Sequence, residues 1–279
     1  MSLAVTLLGT GTSTGVPQIG CSCRVCTSDD PRDRRLRAGV LLRVEADEAG
    51  GGGREGDGDG PGDGAAGPAG GTIVVDTSPD FRQHALTHGI RRLDAVLYTH
   101  SHADHVYGLD DVRVFNFLQR SDVPLYGARE TLATIRRFYA YAFEPGEEGG
   151  GKPRLSLVPV REPFELLGRR IVPVPVWHGS TEVFGYRMGA FALVTDVNRV
   201  PDESLALLRD LDVLVLGALR HRPHATHFSV AEAVELAARI GARRTLLTHL
   251  SHEVHHADGS AALPQGVELA HDGLAFRVD

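Results

Sequence analysis

The stretch Thr99-His-Ser-His-Ala-Asp-His105 predicts the fold class of this chain. It directly follows Ala95-Val-Leu-Tyr98, an apolar run typical of a buried strand. The side chains of the motif therefore gather at the carboxyl end of a strand, where sites assemble in open α/β sheets. Imidazole combined with carboxylate suits zinc, iron or manganese. The stretch indicates a metal centre, and the alternative is a polar surface loop that is rich in histidine.

Strand patterns and helix patterns alternate on both sides of this motif, which is typical of an α/β protein. At 279 residues and 30.0 kDa the chain fits one domain spanning residues 1–279. Hydrophobic residues make up 42% and aromatic residues only 6%, so the core should be aliphatic. We predict strands over 3–8, 38–44, 72–76, 95–98, 171–176, 183–188, 192–195, 213–216 and 244–248, and helices over 79–88, 110–119, 130–143 and 230–240.

Two segments have little to bury. Residues 49–71 consist largely of Gly, Asp and Ala, and we expect a disordered insertion on a hairpin rather than a linker between domains. Residues 144–153 form a second Gly-rich loop that either covers a site or is simply solvated.

Charge and the N-terminal sequence bear on partners and location. The net charge of −7 and the lack of a broad basic face argue against tight binding to long nucleic acid, while a small anionic substrate remains open. The first residues lack a basic region and a long apolar stretch, and no later run approaches the roughly 18 apolar residues of a membrane span. We expect a cytoplasmic protein without membrane contact.

The motif resembles the His-x-His-x-Asp-His signature of the metallo-β-lactamase superfamily, which implies an αββα four-layer sandwich. The resemblance implies that His100 and His102 bind one metal and that Asp104 and His105 bind a second. It implies further ligands in three later segments, Pro175-Val-Trp-His178, Leu193-Val-Thr-Asp196 and Leu246-Leu-Thr-His249. His178 completes the ligand set of the first metal, Asp196 bridges both metals, and His249 completes the ligand set of the second.

The residues give this set independent support. His178, Asp196 and His249 each follow β-prone residues, so all three can project from one sheet edge. Taken alone, each is more often a cap or turn residue than a ligand. Asp76 stands where the family commonly has a supporting carboxylate, and its expected role is a hydrogen bond to a ligating histidine.

Three cysteines, Cys21, Cys23 and Cys26, lie within six residues. Such an odd, tight cluster fits a metal clip better than a disulfide framework, and structural zinc would need a fourth ligand. The cluster is similar to that of PhnP-type phosphodiesterases, in which a histidine three residues after the last active-site histidine joins the cysteines. That position is His252; the alternative is that the cysteines are reduced loop thiols.

The stretch from His221 to Ser229 holds two more histidines, His224 and His227. By resemblance to the phosphodiesterase branch, which includes ribonuclease Z, His227 is the candidate general acid. His221 and His224 are either solvated or reach a substrate phosphate, and Thr226 or Ser229 could cap the following helix.

Two divalent metals lower the pKa of a bridging water from about 15.7 towards 7 and so provide a hydroxide nucleophile. Asp104 could orient that hydroxide, and an imidazolium at His227 would protonate the leaving group. The leading hypothesis is a phosphodiesterase acting on cyclic phosphates of ribose or nucleosides, with two active-site metals (manganese, zinc or iron), one structural zinc and, by resemblance, a homodimer.

Three alternatives remain. Ribonuclease Z-like processing would require a basic arm that is not evident in the sequence. Thioester or amide hydrolysis is a second alternative. A non-catalytic accessory protein like those of the PqqB group, which also carry an early cysteine cluster, is the third.

Overall fold

The computed structural model describes residues 2–45, 70–144 and 151–279. Most of the predicted 49–71 insertion, and residues 145–150 of the predicted 144–153 loop, lie outside the described residues. The prediction for the insertion was wrong at its end, because Gly71 already begins a strand. The two strands that flank the insertion pair in antiparallel register, Val44 with Gly71 and Val40 with Val75, so they form the expected hairpin.

One seven-stranded sheet contains the strands on either side of the insertion, with the C-terminal strand at its edge. The order is β14-β1-β2-β3-β4-β5-β6, parallel from β3 to β6 and antiparallel elsewhere. Its strands are β1 (Leu3–Gly9), β2 (Gly39–Val44), β3 (Gly71–Val75), β4 (Ala95–Leu97), β5 (Val123–Gly127), β6 (Leu155–Pro159) and β14 (Ala275–Val278).

The second seven-stranded sheet has the order β13-β12-β11-β10-β9-β8-β7. It is parallel from β10 to β13 and antiparallel from β7 to β10. Its strands are β7 (Phe164–Leu166), β8 (Arg169–His178), β9 (Thr181–Met188), β10 (Phe191–Val194), β11 (Val213–Gly217), β12 (Arg244–Thr248) and β13 (Val267–Leu269).

The described helices are short, and the predicted helix over 130–143 is divided at Tyr139. Ser229 caps α7 through a reciprocal pair with Glu232, so Ser229 rather than Thr226 is the capping residue. The helices are α1 (Phe81–Thr87), α2 (Ala103–Val106), α3 (Arg113–Gln119), α4 (Arg129–Phe138), α5 (Ala140–Phe143), α6 (Asp202–Leu207), α7 (Val230–Ile240) and α8 (His256–Ala261), with 3-10 turns at Pro31–Asp33 and Leu109–Val112.

Three apolar clusters show how the layers stack. Because strand side chains alternate between faces, Leu7 of β1 points into a cluster between the two sheets, whereas Leu8 points outward. The outer face of the first sheet packs on Phe81 and Ile135 from its helices, and that of the second packs on Leu236. The order helix, sheet, sheet, helix confirms the predicted αββα sandwich.

Within residues 2–45, 70–144 and 151–279, no helix has the length and apolarity needed to cross a bilayer.

Candidate metal centre

The candidate ligands lie where strands of both sheets end. His100 follows β4, His178 ends β8, Asp196 lies two residues after β10, and His249 follows β12. The sheets are tied together here, because Phe184 N–H donates to the Thr99 carbonyl at 3.0 Å. Segments far apart in the chain therefore converge at one rim of the sandwich.

Three of the predicted site residues adopt the left-handed backbone region just past a strand. Asp76 has a φ of 62°, Asp196 of 50° and His249 of 61°. This conformation is uncommon for residues other than glycine and costs of order 1–3 kcal/mol, and it concentrates at functional sites. In each case the chain turns sharply where the strand ends.

The predicted ligands form two groups, each with its ligand atoms within 4.8 Å of one another. The first group is His100, His102 and His178; the second is Asp104, His105, Asp196 and His249. In the second group, His105 Nε2 lies 3.3 Å from Asp196 Oδ1, which lies 3.2 Å from His249 Nδ1. Two ligands about 2.05 Å from one tetrahedral metal would be about 3.3 Å apart. The spacing therefore fits a shared cation.

Four buried ligand atoms support the same fit. His100 Nε2, Asp104 Oδ2, His105 Nε2 and His249 Nδ1 have no hydrogen-bond partner among the described residues, although they are sealed from solvent. An unpaired buried polar atom costs about 1–3 kcal/mol. Atoms that converge in this way without hydrogen bonds are what a set of metal ligands requires, so these residues fit the metals that the fold family implies.

Asp196 lies between the two groups. Its Oδ1 faces His105 and His249, whereas its Oδ2 lies 3.9 Å from His100 Nε2 and 3.1 Å from His227 Nε2. The carboxylate is almost wholly buried. It can therefore offer one oxygen to each of two cations.

The opposite ring nitrogen of several histidines is held by a neighbouring group. Asp76 Oδ2 lies 2.7 Å from His105 Nδ1 and also accepts the Thr99 hydroxyl at 2.8 Å. The Thr226 carbonyl accepts His178 Nδ1–H at 2.8 Å, and the Thr12 hydroxyl lies 3.2 Å from His249 Nε2. Such contacts fix the tautomer and direct the other nitrogen towards a metal. The role expected of Asp76 agrees with this geometry.

Electrostatics keep most of these imidazoles neutral, as metal ligation requires. Burial lowers the pKa of His249 to about 4 and also lowers the pKa values of His178 and His100, the last of these well below the usual range. His105 differs: burial disfavours its charged form, but Asp196 and Asp76 outweigh this and raise its pKa well above the ordinary value. A metal cation would supply the positive charge that these carboxylates attract.

The predicted general acid lies against this centre. His227 Nε2 faces Asp196, and its Nδ1 lies 2.9 Å from the Thr226 hydroxyl and 3.2 Å from His224 Nδ1. His224 is exposed. The structure places His221 elsewhere, on a groove beside His252. Of the three histidines in this loop, His227 alone is within reach of the candidate bridging carboxylate among the described contacts.

The cysteine cluster forms a separate group with His252. The Sγ atoms of Cys21, Cys23 and Cys26 lie 3.3, 3.6 and 3.5 Å from His252 Nδ1. A zinc ion with bonds of about 2.3 Å to sulfur and about 2.05 Å to nitrogen would set these atoms about 3.6 Å apart. The four side chains thus fit the structural zinc that the sequence predicts.

Some residues of the centre were not identified from the sequence as supporting groups. Thr12, Thr99 and Asn198 carry only common turn and strand signals, and Thr226 was considered only as a cap. Their partners are distant in the chain, for example Thr12 and His249. The clustering of such polar residues near predicted ligands is the one signal that could have indicated them.

Comparison with known proteins places the chain in a family. Residues 71–250 match the family described as "Beta-lactamase superfamily domain". The chain is 35% identical to an octanoyltransferase of Porphyromonas gingivalis over 98% of its own length and 51% of that protein. It therefore spans about half the length of this relative. It is also 32% identical to the coenzyme PQQ synthesis protein B of Methylobacterium nodulans, over 98% of this chain and 99% of that protein.

Solved structures agree with this assignment. A structure described as a new diphosphatase from the PhnP family is 41% identical, with a TM-score of 0.85 over 100% of this chain and 98% of the other. Zinc-bound PqqB from Methylobacterium extorquens is 19% identical with a TM-score of 0.72 over 98% and 99%, which shows the fold alone. The motif, the metallo-β-lactamase fold and these similarities together show that the chain belongs to the β-lactamase superfamily and, within it, to the PhnP family.

Proposed function

We propose that the protein is a metal-dependent phosphodiesterase that hydrolyses small cyclic phosphate diesters, of the ribosyl 1,2-cyclic or nucleoside 2′,3′-cyclic type. The observation that carries the proposal is the position of Asp196 between two converging ligand groups, with His227 on the side facing the first group. We assign one metal to His100, His102 and His178, and the second to Asp104, His105 and His249.

When bound, the metal pair supplies Lewis acidity for a phosphoryl oxygen and lowers the pKa of a water. The chain's own residues provide the remaining functions. Asp104 is buried, and burial, which raises its pKa, is outweighed by the neighbouring imidazoles, so the pKa lies below the usual range and the side chain stays a carboxylate. As a ligand it can also accept a hydrogen bond from the attacking water.

His227 has the geometry of a proton donor to the leaving alkoxide. Its Nε2 points into the site and its Nδ1 contacts the Thr226 hydroxyl, so the ring has a fixed orientation. General acid catalysis of this kind is worth about 10²–10⁴-fold. His227 is also close enough to Asp196 and His178 to be a metal ligand. Metal analysis of a His227 variant therefore has to distinguish a proton donor from a metal ligand.

A second candidate activity is cleavage of a diphosphate bond. It is favoured by one observation, the description of the 41%-identical structure as a diphosphatase. The two reactions share in-line attack on phosphorus and differ in the leaving group, an alkoxide or a phosphate. A phosphate leaves without a proton donor more readily than an alkoxide does, so the contribution of His227 separates them.

The test is a substrate panel with metal-reconstituted protein. It contains a nucleoside 2′,3′-cyclic phosphate, a ribosyl 1,2-cyclic phosphate, a dinucleoside diphosphate, a pre-tRNA, a β-lactam and an octanoyl thioester. Wild type is compared with Asp104→Ala and His227→Ala, and with His88→Ala as a matched imidazole control outside the centre. Turnover of cyclic phosphates that is lost in Asp104→Ala and falls at least 100-fold in His227→Ala, with metal content unchanged in His227→Ala, supports the proposal.

Turnover of the dinucleoside diphosphate alone would refute the cyclic phosphate substrate and support cleavage of a diphosphate bond. Turnover of the thioester alone, or of none of the compounds despite bound metals, would refute phosphodiester chemistry. The expected homodimer and cytoplasmic location stay predictions.

A further inference from the structure

Three loops that carry or adjoin candidate site residues meet beside the centre. The turn after β8 directly follows His178, the segment after β10 carries Asp196, and the 220–229 loop carries His227. Backbone hydrogen bonds join them in pairs: Asn198 N–H donates to the Trp177 carbonyl at 2.9 Å, and Phe228 N–H donates to the Val197 carbonyl at 2.7 Å.

The side-chain amide of Asn198 connects all three loops. Its Oδ1 accepts Gly179 N–H at 2.9 Å, and its Nδ2 donates to the Ala225 carbonyl at 2.8 Å. One planar group thus holds the residue after His178 and the residue before Thr226. Since the backbone of Asn198 is itself fixed on Trp177, the amide sets the spacing between the other two loops.

The junction leaves little room for adjustment. Gly179 has a φ of 63°, and a β-carbon added there would lie 2.9 Å from Thr226 Cγ2. The turn and the 220–229 loop are therefore packed backbone against side chain. A small displacement of either would move Thr226, whose carbonyl holds His178 and whose hydroxyl contacts His227.

We propose that Asn198 is a positioning residue that fixes a metal ligand, His178, and a proton donor, His227, in one geometry. It acts through Gly179 on the first and through Ala225 and Thr226 on the second. The proposal rests on the proposed function for His227, whereas its consequence for His178 concerns metal binding alone.

The test compares Asn198→Ala with Asn116→Ala. Asn116 offers a matched control, since its amide also bridges loops, donating to the Ser121 and Arg154 carbonyls at 2.9 and 3.0 Å, but lies away from the centre on α3. Zinc binding to chelator-stripped protein and hydrolysis of two esters are measured for each. The esters are a p-nitrophenyl phosphodiester, whose leaving group needs no proton, and the matching alkyl phosphodiester.

Asn198→Ala should weaken zinc binding at the active site about 10–100-fold, the range seen when a group that orients a ligand is lost. It should also lower kcat/KM for the alkyl ester at least 10-fold more than for the p-nitrophenyl ester. Asn198→Asp keeps the acceptor for Gly179 and should weaken zinc binding less than Asn198→Ala. Asn116→Ala should lower the melting temperature while changing neither the zinc affinity nor the ratio of kcat/KM between the two esters.

The proposal is overturned if Asn198→Ala resembles Asn116→Ala, losing stability while zinc affinity and the ratio between the two esters stay within about twofold of wild type. If wild type hydrolyses neither these esters nor the cyclic phosphates of the substrate panel, the proposed function fails, and zinc affinity alone then decides the role of Asn198.

Discussion

Replacing Asp76 by asparagine tests whether the metal centre depends on a residue that binds no metal itself. The carboxylate accepts Thr99 N–H at 2.9 Å and the Thr99 hydroxyl at 2.8 Å, and it lies 2.7 Å from His105 Nδ1. Asparagine has the same shape and tolerates the left-handed backbone at this position. Its amide nitrogen, however, would face the Thr99 hydroxyl and His105 Nδ1, both of which meet an acceptor oxygen in the wild type.

The expected loss of metal affinity follows from the tautomer of His105. With an N–H group opposite Nδ1, the ring is favoured with its own proton on Nε2, the nitrogen that faces Asp104 and Asp196. A protonated Nε2 cannot bind a metal. Loss of such an orienting carboxylate costs about 10–100-fold in metal affinity, which is about 1.4–2.7 kcal/mol.

The assay is titration of chelator-stripped protein with zinc, followed by calorimetry and by metal analysis of the dialysed product. The control is Asp80→Asn, since the Asp80 carboxylate also accepts several hydrogen bonds, from Arg37, without contacting a candidate ligand. If Asp76→Asn binds zinc within threefold of wild type, or if Asp80→Asn weakens binding equally, the proposed orientation of His105 is refuted.

Three further predictions concern the cysteine cluster and stability. Cys23→Ser should remove one metal equivalent and lower the melting temperature, which metal analysis and calorimetry will show; retention of the full metal content would contradict the zinc assignment. Burial lowers the pKa of His84 to about 4, compared with about 6.5 in an unfolded chain, so the neutral ring contributes stability above pH 6.5 that is lost as pH falls through 4. His84 alone should account for up to about 3 kcal/mol of the stability that chelator-stripped wild type loses across this window, and His84→Leu should lose correspondingly less; parallel pH curves for the two proteins would rule this out. Arg35→Met should destabilise the fold by about 3–5 kcal/mol in urea unfolding, because Asp33 would be left buried without the guanidinium that lies 3.1 Å away; a loss under 1 kcal/mol would disprove this.

Local patterns were sufficient to predict an α/β protein with candidate ligands at strand ends, whereas the resemblance to the metallo-β-lactamase superfamily supplied the αββα sandwich and the grouping of the ligands. An apolar run followed by His100 or His249 indicates a strand end, and parallel strand ends share one edge of a sheet. Short strands without strong alternation carry no such local pattern. Of the described strands, β5, β6, β7, β13 and β14 were not predicted; in β6, Leu155–Pro159, no residue is fully buried, so the hydrophobic pattern is weak.

The supporting contacts could not be predicted because they join loops distant in the chain. Asn198 and Ala225 are 27 residues apart, and Arg35 and Ser251 are 216 apart. An asparagine or an arginine in a loop gives no sequence signal of which carbonyl it will meet. The same residue types are usually solvated, so only the packed structure distinguishes these from the rest.

The two candidate metal sites share a single short segment. His249 and His252 lie on the chain that leaves β12, and Arg35 donates to the carbonyls of Ser251 and Val254, on either side of His252. The guanidinium is fully buried and pairs with Asp33, so its contacts hold the segment around His252 in place. Arg35 and the cysteine cluster therefore fix the segment that carries His249, while Asn198 fixes the loops beside His178 and His227. Loss of the cysteine-bound metal should consequently disturb His249 before it disturbs His178, so zinc affinity at the active site should fall in Cys23→Ser even though no active-site ligand has changed.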